Sequence, residues 1–160
     1  MPFEKWGIDF VRPIELTSHG KSYILVCTNY ATKWVEARDM THAKDHKVED
    51  FLYECIFTQF GVPREIVMDQ GAQFISNLIA KLMNKYMIHH GTSSPYYPQA
   101  NDQVEITNRE IESILTKTVA IHKWDWVTQL PEAIWAYRTT WKRTTRFTPF
   151  ELLYGKSSSM

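Results

Sequence analysis

The hydrophobic period of this chain changes once, near residue 40, and that change limits the fold more than any other feature of the sequence. Before it, apolar residues fall at strand spacing. Trp6, Ile8 and Phe10 alternate with Gly7, Asp9 and Val11, which predicts a strand over 3–11 carrying one acid on its second face. Residues 23–27 form a short continuous apolar run, as in a strand covered on both sides. Residues 33–38 read as a third strand, and the turn signal His19-Gly20 with a short second link suggests an antiparallel meander. After the change, Val48, Phe51, Leu52, Cys55, Ile56 and Phe60 follow helical spacing, and Gly61 and Pro63 end the helix.

Further on, residues 65–68 predict a short strand that runs into the turn Asp69-Gln70-Gly71, where Gly71 is expected to take a positive φ. Ser76 is expected to cap a helix whose core face is Ile79, Leu82, Met83 and Tyr86. Residues 91–101, rich in Ser, Pro and Tyr, read as loop. A long helix is expected over 103–122, with Val104, Ile111, Ile114 and Leu115 apolar. Asp125 is expected to cap the next helix, with Pro131 marking a start or a kink. Phe147-Thr148-Pro149-Phe150 opens a last short segment. The order βββαβα followed by helices predicts a mixed α/β layered fold.

At 160 residues the chain is one domain. It has no run of 18 apolar residues, and no signal peptide is read at its start. Two cysteines, Cys27 and Cys55, are too few for a disulfide framework or a paired-cysteine zinc module, so a reduced, intracellular protein is expected. A net charge of zero argues against a generic polyanion binder. The charge is uneven, with 11 basic against 15 acidic residues over 1–116 and 7 against 3 over 117–160.

Three acids stand out by position. Asp9 lies within the first strand, Asp69 at the carboxyl end of the fourth, where open α/β sheets place their sites, and Glu105 in the first turn of the long helix. Positions 70–104 separate the last two by 35 residues. Three carboxylates from three elements suit hard cations. Each acid also has an ordinary explanation, as a turn residue or a partner of a helix dipole.

The residues around them narrow the choice. Trp6-Gly7-Ile8-Asp9-Phe10, Thr32-Lys33-Trp34-Val35-Glu36-Ala37 and Asp69-Gln70-Gly71-Ala72-Gln73-Phe74 come first. Ser94-Pro95-Tyr96-Tyr97-Pro98-Gln99-Ala100-Asn101 follows, with Val104-Glu105 and Asn108, then Trp135-Ala136-Tyr137-Arg138-Thr139-Thr140. Thr148-Pro149-Phe150 and Leu153-Tyr154-Gly155 close the series. In this order and spacing the chain resembles the catalytic core of retroviral-type integrases, most closely those of gypsy-type long-terminal-repeat retrotransposons of plants.

The resemblance covers residues 6–156. It implies a ribonuclease-H-like α/β fold, a five-stranded mixed sheet with helices on both faces, over residues 1–156, with 157–160 a disordered tail. It implies a metal-dependent polynucleotidyl transferase that processes the 3′ ends of retroelement DNA and joins them to target DNA. Asp9, Asp69 and Glu105 would be the catalytic metal ligands for two Mg²⁺, with Mn²⁺ able to substitute. Its implied partners are retroelement end DNA, target DNA and further copies of the chain, with no membrane and no small-molecule cofactor. Its implied place is the nucleus, after a cytoplasmic stage in a virus-like particle.

Asn108, Arg109 and Glu112 share a helix face with Glu105, so Asn108 and Arg109 are either DNA contacts or a solvated face. Gln99, Asn101 and Gln103 resemble the family's mobile catalytic loop, and Gln99 and Asn101 are expected to face DNA. Tyr96 and Tyr97 either stack on bases or pack the loop. Lys142, Arg143 and Arg146 either contact phosphate or form a solvated basic surface, and the solvated surface is expected. His42 and His46 stand one helical turn apart without the further ligands a zinc site needs. The six tryptophans are assigned to core or interface.

The departures from the family pattern are specific. The family's upstream zinc-binding domain and downstream basic domain fall outside these 160 residues, so an excised core or truncated reading frame is expected. Arg12, Asp102 and Arg146 stand where the family commonly has Gly, and Asn29 where it has Asp. A single G-to-A transition produces each change, which suggests a decaying genomic copy; sibling copies differing by other substitutions would remove that idea. Asp102 is expected to stiffen the loop before Glu105 and weaken catalysis. The alternative function is therefore a truncated, catalytically weak or inactive relic acting as a DNA-binding and dimerisation module.

Overall fold

The computed structural model describes residues 4–11, 23–41, 45–68, 73–92, 98–122, 125–143 and 145–155; over 98–108 it describes the backbone path alone. Five strands form one sheet in the order β3-β2-β1-β4-β5. They are β1 (Lys5–Val11), β2 (Tyr23–Asn29), β3 (Val35–Met40), β4 (Glu65–Met68) and β5 (His89–Thr92). β1, β2 and β3 pair antiparallel, as the meander predicts, and β1, β4 and β5 pair parallel. Parallel neighbours need crossovers, and the helical segments between β3 and β4 and between β4 and β5 supply them.

β2 is buried from Ile24 to Asn29 because both faces of the sheet are covered. Alternation sends Leu25 and Cys27 to a first core with Trp6 and Ile8 of β1. α1 (Asp45–Phe51) and α3 (Gln73–Lys85) close that core with Val48, Phe51, Ile79, Leu82 and Met83. Ile24, Val26 and Val35 face the other way, onto Ile111 and Leu115 of α4 (Pro98–His122) and Trp126, Leu130, Ile134 and Tyr137 of α5 (Trp126–Arg138). α6 (Pro149–Tyr154) begins with a complete capping box, Thr148 accepting from Glu151 N and Glu151 accepting from Thr148 N.

Four expectations need correction. The regular helix expected after residue 48 contains a π-helical stretch, Leu52–Phe57, before the short α2 (Thr58–Phe60); Gly61 ends it at φ 85°. α3 starts at Gln73, so Ser76 is inside the helix, not its cap. Residues 91–101 are not all loop: β5 includes Gly91 and Thr92, and α4 begins at Pro98. Of the start or kink expected at Pro131, the start is excluded, because Pro131 lies within α5. Asp125 does precede α5, but its side chain makes no cap to the helix backbone; its Oδ1 instead accepts from Thr128 Oγ1 at 2.6 Å.

Candidate active site

Pairing places Asp9 in three dimensions. It sits opposite Val26 in the antiparallel β1–β2 pair, so it shares Val26's face of the sheet. Val26 packs in the core that α4 and α5 cover. Asp9 and the helix bearing Glu105 therefore belong to one side of the sheet. On the other edge of β1, Ile8 is paired with Met68, so β4 reaches its carboxyl end beside Asp9. Asp9 is partly buried, and its Oδ1 accepts a 2.8 Å bond from Phe10 N that orients the carboxylate.

Asp69 follows Met68 directly and lies outside the described residues, as do Gly71, Tyr96, Tyr97, Arg12 and His42. Glu105 is the eighth residue of α4, not a first-turn residue, because the helix begins five residues earlier than its composition suggests. Gln99, Asn101, Asp102 and Gln103 are helical as well and do not form a loop. Helical spacing sets Glu105, Asn108, Arg109 and Glu112 along one stripe of α4, and Arg109 and Glu112 are exposed. Among the described residues no three His, Cys, Asp or Glu side chains converge on a metal position.

The groups that fix α4 and α5 beside Asp9 lie far apart in sequence. The ammonium of Lys142 is 2.6 Å from Glu110 of α4 and 4.0 Å from the centre of the Tyr137 ring. Lys142 is thus buried and structural, contrary to the solvated basic surface expected of it; Arg143 and Arg146 are exposed. The Tyr137 hydroxyl donates to the Lys33 carbonyl at 2.8 Å, and burial pushes this phenol's pKa upward. Arg138 donates twice to the Val35 carbonyl, pairs with Glu36 at 2.9 Å and stacks over Trp34 at 4.0 Å. Desolvation lowers its pKa against the opposing pull of Glu36. No periodicity signals the hydrogen bonds and ion pairs among these contacts, because their partners are 32 to 104 positions apart.

Arg146, one of the positions where Gly was expected, has φ 62°. A left-handed backbone there is the physical reason a glycine suits it. Asn29 is fully buried; its Oδ1 accepts from Ala31 N, Thr32 N and Thr32 Oγ1, while its Nδ2 has no hydrogen-bond partner among the described residues. Both cysteines are free thiols, and burial raises each pKa.

Comparison with known proteins settles the family. The sequence model described as "Integrase core domain" matches residues 1–98. The chain belongs to the integrase core domain family. It is 36% identical over 155 residues to the Pol polyprotein of Radiation murine leukemia virus (strain Kaplan), covering 96% of this chain and 26% of that polyprotein. It is 34% identical over 160 residues to the Gag-Pol polyprotein of Feline leukemia virus, covering 99% of this chain and 9% of that one. The chain thus spans a minor part of these relatives.

Among solved structures, the catalytic core domain of BIV integrase superposes with a TM-score of 0.66 at 19% identity, covering 94% of this chain and 93% of that one. A chain of the simian T-cell lymphotropic virus intasome, solved with PP2A regulatory subunit B56 gamma, superposes at 0.72 with 18% identity, covering 100% of this chain and 57% of that one. These superpositions support the ribonuclease-H-like fold expected from the motifs, and the five-stranded mixed sheet flanked by helices in this chain agrees with it.

Proposed function

We propose that this integrase core is a metal-dependent polynucleotidyl transferase from a gypsy-type retroelement, acting on the 3′ ends of element DNA and joining them to target DNA. The observation that carries the reading is the placement of Asp9. It lies on the sheet face covered by the helix that bears Glu105, beside the strand that runs into Asp69. The donor set fits hard divalent cations, being carboxylate oxygen throughout. Asp9 and Asp69 would hold one Mg²⁺, and Asp9 and Glu105 the other. When bound, such a pair activates the attacking oxygen and neutralises charge on the leaving 3′-oxygen.

The chain's own residues set the geometry. Phe10 N–H orients the Asp9 carboxylate, Arg138 holds α5 to β3, and Lys142 ties α4 to the end of α5. Gln99, Asn101, Asn108 and Arg109 contact DNA along α4. The working form is a homodimer or larger assembly, and the site of action is the nucleus. Calorimetric titration with Mn²⁺ tests the metal site: Asp69→Asn and Glu105→Gln should each weaken binding at least tenfold while the protein stays folded. Unchanged affinity in both variants would refute it.

A weakened relic is the second reading, favoured by the strained φ of Arg146. Asp102 lies within α4, so its effect is to extend and stiffen a helix rather than a loop. Glycine there lowers helix stability by roughly 0.3 kcal/mol relative to aspartate and loosens the first turns of α4. Asp102→Gly should therefore join DNA faster than the parent; equal rates would remove Asp102 as a cause of weakness.

A further inference from the structure

A groove of about 530 Å³ lies between α4 and the turn that follows α5, and the chemistry above leaves it unused. One wall is Arg109 and Ser113, the other Trp141. Arg109 is four residues beyond Glu105 and Ser113 eight, about 6 and 12 Å along the helix. The groove thus starts close to the acid and continues away from it on the same stripe of α4.

Trp141 is 58% exposed although it is the largest kind of apolar side chain. Its indole N–H donates to the Arg146 carbonyl at 2.9 Å, across a turn closed by Lys142 N to Phe147 O at 3.0 Å. The ring is therefore held in place with its one donor already used, which leaves its faces for stacking. Lys142 pairs with Glu110 within the groove wall, and Arg109 adds an exposed cationic side chain to the lining. A fixed aromatic face beside a cation and a hydroxyl matches the parts that bind a single nucleotide: base, phosphate and sugar-phosphate oxygen.

We infer that this groove is a nucleotide subsite, in which Trp141 stacks on an unpaired base of the DNA strand engaged at the acids and Arg109 meets its phosphate. The inference rests on DNA being the substrate. Stacking on a preoriented ring costs little ordering entropy, so loss of the ring should be felt in affinity without any change in chemistry.

The test is equilibrium binding of a fluorescein-labelled branched DNA to the full chain in EDTA, which reads affinity without turnover. Trp141→Ala should weaken binding about tenfold with the salt dependence unchanged. Trp141→Phe should stay within about threefold of the parent, since the stacking face remains. Arg109→Ala should lower the slope of log affinity against log salt by about one. Parental affinity in Trp141→Ala would overturn the inference and leave the DNA reading standing. So would a loss accompanied by a changed sedimentation coefficient, because Trp141 would then serve a contact between chains. A parent protein that fails to bind branched DNA would bring down the DNA reading itself, and this inference with it.

Discussion

The two faces of the sheet are covered by different kinds of contact. The face under α1 and α3 is closed mostly by apolar side chains from Trp6 to Ile88, whose attraction is non-directional, with directed pairs at its exposed rim, Arg38 with Glu54 at 2.8 Å and Tyr86 with Glu49 at 2.7 Å. The face under α4 and α5 also has an apolar centre, but its rim is built from aimed contacts: Arg138 on Val35 O and Glu36, Tyr137 on Lys33 O, and Lys142 on Glu110. Asp9 lies on this second face. Burial alone tolerates small shifts between layers, whereas bonds of fixed length and angle do not. The face proposed to hold the carboxylates is the one whose helices are tied down through largely buried partners, Tyr137, Arg138 and Lys142.

Mutations can break that contrast or sharpen it. Phe51→Ala on the first face should cost about 3–5 kcal/mol in urea unfolding, since Phe51 is fully buried and leaves a cavity. Phe51→Leu should cost much less, because non-directional packing responds mainly to volume. Arg138→Met on the second face should cost about 2–3 kcal/mol, and Arg138→Lys should recover little of it. A single ammonium cannot reproduce both bonds to Val35 O, the pair with Glu36 and the stack on Trp34. Full recovery by lysine would mean that charge, not aim, holds α5. Arg146→Gly should raise stability by about 1 kcal/mol, seen as a higher melting temperature, because it relieves the left-handed strain at φ 62°.

The smallest effect is a pH slope. Burial, and then the charge of Glu65, push the Tyr30 phenol up to about 12 from its ordinary 10. A pKa raised in the folded state means that stability is full below pH 10 and is lost as pH rises from 10 through 12. Tyr30→Phe should flatten the fall in melting temperature over that window. The same slope in parent and variant would show that Tyr30 is not the group responsible.

Much of the fold was legible because strands and helices differ in hydrophobic period. β1 to β4 follow from alternation and short apolar runs, and the place of α6 from the segment that Phe147-Thr148-Pro149-Phe150 opens. β5 escaped because His89-His90-Gly91-Thr92 has no apolar alternation; its place is set by pairing with β4. The start of α4 escaped because Pro98-Gln99-Ala100-Asn101-Asp102 has loop composition, although Pro is at home in a first helical turn. The side of the sheet on which Asp9 lies follows from alternation in β1 and β2. What keeps α4 and α5 there does not, because Lys142 meets Glu110 32 positions away and Tyr137 meets Lys33 104 positions away.

The decisive measurement is strand rejoining on a branched DNA substrate with Mg²⁺ or Mn²⁺, comparing the parent with Asp9→Asn, Asp69→Asn and Glu105→Gln at matched melting temperature. Removing one carboxylate from a two-metal site should lower the rate by at least about a hundredfold. Product from the parent that disappears in all three variants is the predicted result. Product that persists in Asp9→Asn, or depends on none of the three acids, would contradict a shared metal site on this face of the sheet.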